Sequence, residues 1–193
     1  MVNESFIIVN VILFISLFSG VLVYAWRYKK VSPDRAMVVY GRQMHPSIKI
    51  GYQVISGGGK FILPIIEQVD HISLGVKEVV LELDNVRTDP SGGSTPLRVN
   101  LTALYKVSSE RETLYTAAEN LLGKTDEEIK SMVEVVIEGT LRSIASTMTP
   151  RKMDLDREAL GVQVEVNAGK ELQKIGLEIR ALAIIRVHLK GVT

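Results

Sequence analysis

A glycine triplet followed by lysine, Gly57-Gly58-Gly59-Lys60 within VISGGGKFILP (54–64), is the densest chemical signal in the chain. A phosphate-binding P-loop wraps backbone amides around phosphate oxygens and requires Gly, four residues, then Gly-Lys-Ser/Thr. Here Val54 stands five residues before Gly59 and Phe61 follows Lys60, so the first glycine and the magnesium-binding hydroxyl are both missing. The flanking runs YQVIS and KFILP are β-prone, and consecutive glycines supply the positive φ angles of a tight turn, so the stretch reads as a β-hairpin.

The remaining inventory for chemistry is thin. His45, His71 and His188 stand in three distant segments, with no HExxH pair and no spacing suited to a shared metal. No G-x-S-x-G elbow presents a serine. A Ser-Lys dyad has no spacing signature, so a membrane-tethered Ser-Lys hydrolase is kept as an outlying alternative. Asp154, Asp156 and Glu158 gather near a helix start, where capping and the helix dipole account for them. Glu138 and Arg142 stand i,i+4, the geometry of a modest surface ion pair. The absence of cysteine removes disulfides, thiolate nucleophiles and cysteine metal sites. With 23 Lys+Arg against 22 Asp+Glu the formal net charge is +1, which gives no electrostatic case for nucleic acid. No catalytic, cofactor-binding or metal-binding residue is assigned, and a non-enzyme without a cofactor is expected.

The elements around these residues carry a membrane signature. A chain of 193 residues has room for one well-buried domain plus an appendage. Its hydrophobic excess, a mean hydropathy of +0.18, is concentrated at one end. No charge interrupts residues 5–26, and as a helix that run is roughly 33 Å long, enough to cross the ~30 Å hydrocarbon core of a bilayer. A cleavable signal peptide would want a positive start, a shorter apolar region and a small-residue cleavage site. This run opens after Glu4 and closes on Tyr24, Trp26 and Arg27, which favours a retained anchor. Arg27, Lys29, Lys30 and Arg35 follow it, so the positive-inside rule sets the N-terminus outside and the later residues in the cytoplasm. Tyr24, Trp26 and Tyr28 suit an interfacial aromatic belt. Arg27, Lys29 and Lys30 act as a stop signal or attract anionic headgroups.

Beyond Pro33 the periodicity alternates between strand and helix. RAMVVYGR, YQVIS, KFILP, EQVDHISLG and KEVVLELD read as strands, and TDPSGGST (88–95) as a turn. From Leu97 to Val107 apolar and polar residues alternate, as in a half-buried strand. Ser109–Leu122 reads as a helix closed by Gly123. Thr125 and Glu128 form a capping box for the next, whose stripe Ile129, Val133, Ile137, Leu141, Ile144 and Met148 ends before Pro150. From Asp156 to Ile175 VQVEV alternates like a strand, while Leu160, Val164, Ala168, Leu172 and Ile175 keep helical spacing; length favours helix. Leu177, Ile179, Ala181, Ala183, Ile185, Val187 and Leu189 alternate as a last strand. The order predicts an α+β domain with a mostly antiparallel sheet.

Four stretches resemble a known family in order and separation: ISGGGKFILPIIEQV (55–69), TPLRVNLTALYKV (95–107), VIEGTLRSIASTMTP (136–150) and LQKIGLEIRALAIIRV (172–187). Together they resemble the SPFH or band 7 domain proteins (stomatin, prohibitin and flotillin), and most of all the flotillins. The resemblance covers the soluble part and implies an SPFH domain (31–190) with packed helices, following the transmembrane helix (5–26) read from the apolar run. It also implies a non-enzymatic scaffold that self-associates and organises membrane lipids and proteins into microdomains. The alternative is an adaptor that restrains a membrane-bound protease or channel. Expected partners are membrane lipids, further copies of the chain and other membrane proteins. In the family the glycine hairpin and its FILP neighbour lie near the membrane, which makes Phe61, Ile62, Leu63 and Pro64 candidates for shallow lipid contact beside Tyr24, Trp26, Arg27, Lys29 and Lys30. The competing assignment for the four FILP residues is the domain core. Flotillins continue into a long Glu/Ala-rich coiled coil, whereas this sequence reaches Thr193 without sustained heptads.

Overall fold

The computed structural model describes residues 4–41, 51–63, 66–89 and 96–189. Two compact units divide the chain, residues 1–71 and 72–193. They are taken in turn.

The first unit begins with α1 (Glu4–Arg27), a 24-residue helix rich in Ile, Val, Leu and Phe. Every side chain described on it is exposed. The chain passes at once into β1 (Tyr28–Lys30) and, after Val31–Asp34, into β2 (Arg35–Tyr40). Antiparallel to these run β3 (Tyr52–Ser56) and β4 (Gly59–Phe61). The registers show one ribbon: Tyr28 opposes Phe61 and Lys30 opposes Gly59, then Ala36 opposes Ser56 and Tyr40 opposes Tyr52. The amide of Val31 donates to the Gly58 carbonyl at 2.8 Å, and that of Ile62 to the Arg27 carbonyl at 3.3 Å, extending the pairing to the end of α1.

The expected hairpin between YQVIS and KFILP is therefore corrected. Gly57 and Gly58 do take positive φ, 85° and 79°, but the chain does not reverse there. Both flanking strands find their partner in residues 28–40, and the glycines form a break within one arm of the ribbon. On the other side of β2 lies β5 (Gln68–Ser73), giving the order β3-β2-β5. As the central strand, β2 buries Ala36, Met37, Val38 and Val39 in succession, which is what a strand covered on both faces requires. Met37 and Val39 join Val31 and Ile62 in a core, with Ile55 and Val69 packed against it. The Tyr40 hydroxyl donates to the Asp70 carboxylate at 2.9 Å, a bond that raises the Tyr40 pKa.

The second unit is a three-stranded antiparallel sheet, β6 (Lys77–Val86), β7 (Leu97–Val107) and β8 (Leu177–Leu189), with helices between β7 and β8. Central β7 buries Leu97, Val99, Leu101, Ala103, Tyr105 and Val107, as its alternation predicts. The helices are α2 (Arg111–Leu121), α3 (Asp126–Ala145), α4 (Pro150–Leu155) and α5 (Arg157–Gln173). The Thr125–Glu128 capping box at the start of α3 is present in full. α3 lies against β6 and α5, and α5 against β8. Where α5 ends, Gly176 (φ 89°) runs so close to the Ala117 backbone that any side chain there would collide with it.

Two features of this unit depart from the sequence pattern. The even alternation of β8 is broken by bulges beside Leu104/Tyr105 and Asn100/Leu101. After the first, Ala181 and Ala183 face outward and Leu182 and Ile184 turn inward, opposite Ala103 and Leu101; the second restores Val187 opposite Val99. A third bulge, between Leu83 and Val86 in β6, holds Asn85 at φ 58°. It is clamped by Arg142, whose guanidinium donates to the carbonyls of Asp84 and Asn85, each at 3.1 Å, as well as to Glu138 at 2.7 Å.

Candidate membrane-interface site

The predicted contact residues collect where α1 meets the ribbon. Helix α1 ends at Arg27, whose positive charge suits the negative end of the helix dipole. Because β1 follows without a linker, Lys29 and Lys30 are held on a paired strand instead of a loose tether. Both are exposed, and neither they nor Arg27 enter an ion pair among the described residues. Trp26 projects almost wholly free, 90 % exposed.

Aromatic rings tie the helix to the ribbon. Tyr24 on the last turn of α1 stacks on Phe61 of β4, with ring centroids 5.6 Å apart and planes 20° from parallel. Tyr28, opposite Phe61, lays its ring over Gly59, where the absence of a side chain leaves it room. This is cover of a strand glycine by an aromatic neighbour. Tyr24, Phe61 and Tyr28 thus form a collar whose outer surfaces stay exposed.

Behind the collar sits a polar clip. Lys29 and Lys60 are direct cross-strand partners, a like-charge pairing that would repel. The Lys60 ammonium is drawn inward instead, donating to Gln53 at 3.1 Å and lying 3.6 Å from Glu67. Glu67 is only 4 % exposed. Its other oxygen accepts from the Leu63 amide at 2.9 Å, while the Glu67 amide donates to the Leu63 carbonyl at 2.7 Å. One buried carboxylate thereby balances Lys60 and holds the Leu63 amide.

Of the four FILP candidates, Phe61 is exposed and Leu63 half-buried, and Pro64 lies outside the described residues. Ile62 is a core residue, 5 % exposed, because alternation along the strand turns it toward Val31, Met37 and Val39. Sequence reasoning passed over Glu67, whose only signal is a lone carboxylate in the apolar run FILPIIEQV. It also left Gly59 and Tyr28 unconnected.

For other chemistry, His71 and His188 are exposed, and His45 lies outside the described residues. Among the described residues no cluster of three His, Asp or Glu is placed to hold a metal. Asp154 accepts from Arg157 at 2.6 Å, and Asp156 precedes α5 without a side-chain cap.

Comparison with known proteins matches residues 29–192 to the SPFH domain / Band 7 family. The chain is 28 % identical over 190 residues to the flotillin-like protein FloT of Bacillus subtilis (strain 168), covering 95 % of this chain and 36 % of FloT. It is 29 % identical over 157 residues to human flotillin-1, covering 81 % and 35 % of the two chains. With flotillin-1 of Drosophila melanogaster the identity is 31 % over 161 residues, covering 82 % and 36 %. The chain thus spans about a third of the length of these relatives. With a match that begins at Lys29, inside β1, and takes in the rest of the ribbon, the three-stranded sheet and the four helices between its last two strands, the chain belongs to the SPFH domain / Band 7 family.

Proposed function

We propose that the chain is a membrane-anchored, flotillin-like scaffold and not an enzyme. α1 spans the bilayer with its N-terminus outside, the SPFH domain lies on the cytoplasmic side, and copies self-associate to organise membrane lipids and proteins into microdomains. One observation carries the reading: the exposed apolar helix Phe6–Arg27, 22 residues containing an 18-residue window with a mean hydropathy of 2.7, runs without a linker into a paired strand. A bilayer is the environment that relieves such a helix of its contact with water. Stacking of Tyr24 on Phe61 and the bond from Ile62 to Arg27 join its last turn to the domain, which favours an anchor that is kept. At the interface Tyr24, Trp26, Phe61 and Leu63 meet the upper acyl region, and Arg27, Lys29 and Lys30 meet the headgroups.

The test is fractionation and crosslinking of the full chain in native membranes. The reading expects retention in the pellet after alkaline extraction, a ladder of homo-oligomers with a lysine-reactive crosslinker, and a domain shielded from protease added to intact cells. Recovery of the uncleaved chain in the soluble fraction would overturn the anchor; a strictly monomeric pattern would overturn the scaffold. One foreign protein recovered in fixed proportion, without the ladder, would turn the assignment to an adaptor.

A further inference from the structure

Helix α5 has two apolar faces, and the domain uses one. Leu160, Val164, Ala168 and Leu172 are buried. On the opposite side Ala159, Val162, Val166 and Gly169 follow one another at intervals of three, four and three residues, the repeat of a two-helix seam. Val162 is 55 % and Val166 50 % exposed, and the space beside Gly169 is open. This second stripe is why VQVEV alternates: Val164 faces the core and its two neighbours face away.

The charges beside the stripe identify what covers it. Glu158 and Glu165 flank it on one side, Gln163 and Lys170 on the other. Glu158, Glu165 and Lys170 enter no ion pair among the described residues, whereas Glu171 nearby is bound to Lys174 at 2.7 Å. In two parallel, in-register helices a residue on the first flank meets the partner residue five positions later on the second flank. Glu165 then faces Lys170 of the other copy, and Glu158 faces its Gln163. An antiparallel arrangement sets the two glutamate flanks against each other.

We propose that the outer face of α5 is a contact surface for α5 of a second copy of this chain, parallel and in register, with Val162 and Val166 in the seam and Glu165 paired to Lys170 across it. The proposal rests on the self-association reading and names one of its surfaces: a parallel, in-register pair is two-fold and closes at two copies, so the ladder also needs a contact elsewhere. Two valines and small neighbours cover far less than the roughly 800 Å² per partner of a stable interface. The contact therefore acts between copies already held in one membrane, where tethering raises the effective concentration toward the mM range, and not as a dimer in dilute solution.

The chain has no cysteine, so single cysteines report cleanly. Ala159→Cys and Val166→Cys, each in the full chain in membranes, are oxidised, with Val135→Cys on α3 as an apolar control that is more exposed than Val166 (67 %). Both seam variants are expected to give disulfide-linked dimers well above the control. Adding Lys170→Glu to Val166→Cys is expected to reduce its dimer about threefold, the scale of one exposed ion pair, and Glu165→Lys in the same chain to restore it. Crosslinking at only one seam position indicates helices that cross there instead of running in register, and overturns the proposal. Crosslinking at neither, with the lysine-crosslinked ladder intact, overturns it and leaves self-association standing through another surface. Loss of the ladder as well removes both.

Discussion

The Tyr28 hydroxyl occupies the place where a side chain at Gly59 would begin: an added Cβ would lie 2.6 Å from that oxygen. The obstacle is the far end of an exposed ring, and Gly59 does not take positive φ, so the ring swings aside at small cost. Gly59→Ala is expected to change stability by less than about 1 kcal/mol while uncovering β4. Gly176→Ala is the contrasting case, because φ 89° and the fixed Ala117 backbone oppose it together. Its expected cost exceeds the ~1–3 kcal/mol of the strained backbone alone. Denaturation of the two variants in detergent separates them; a Gly59→Ala loss as large as that of Gly176→Ala would refute the assignment of Gly59 to a yielding contact.

The Lys60–Glu67 clip makes its own prediction. Glu67→Ala strips the acceptor from the Leu63 amide and the counter-charge from Lys60, both in a partly buried setting. A cost of about 2–3 kcal/mol is expected. Glu67→Gln keeps an acceptor for the amide and loses only the charge, so it falls between wild type and Glu67→Ala. If all three unfold at the same denaturant concentration, the clip contributes nothing.

These contacts also mark how far the sequence could be read. Period alone located β7 and α3, because each buries a regular stripe, whereas β2 was legible as a short unbroken apolar run, the form of a strand covered on both faces. Turn chemistry misled at Gly57-Gly58, since positive φ serves a mid-strand break as well as a reversal and only the partner strand distinguishes them. The bulges of β8 were hidden for a similar reason: an extra residue changes which side chains face the core without changing which are apolar. Arg142 reads as half of an i,i+4 pair with Glu138, and its bonds to Asp84 and Asn85 depend on a strand 57 and 58 residues away. Of the candidate site, the composition of Tyr24 through Lys30 was legible. The inward turn of Lys60 and Ile62 was not, because it follows from the ribbon register.

Acid sensitivity should be traceable to the start of α3. The Glu128 carboxylate accepts from the Thr125 amide at 2.7 Å, and that bond holds its pKa below the ordinary carboxylate value. A depressed folded pKa means that the contribution is complete above the unfolded value and is lost as pH falls through the folded one. Glu128→Gln preserves the reciprocal cap without a titrating group. The melting temperatures of wild type and Glu128→Gln should therefore converge as the pH drops below the carboxylate range; a difference that stays constant down to pH ~2 would contradict the shift. Thr125→Ala, which removes the other half of the box, is expected to cost about 1 kcal/mol at neutral pH.

Trp26 is the only tryptophan in the chain, so its fluorescence reports directly on the junction of α1 and β1. Its 90 % exposure means that without a bilayer the indole meets water and emits at long wavelength. If the span ends where Tyr24, Trp26 and Phe61 meet the interface, reconstitution into vesicles shifts the emission to the blue. Lipids brominated near the top of the acyl chain then quench it more strongly than lipids brominated near the chain end, as expected for a ring at headgroup depth. Arg27→Glu with Lys29→Glu and Lys30→Glu reverses the charge beside the ring, and in vesicles rich in anionic lipid it should reduce shallow quenching more than in zwitterionic ones, each lost basic charge being worth about 1 kcal/mol at such a surface. Unshifted emission in vesicles, with ready quenching by aqueous iodide, would mean that this end of α1 stands clear of the bilayer.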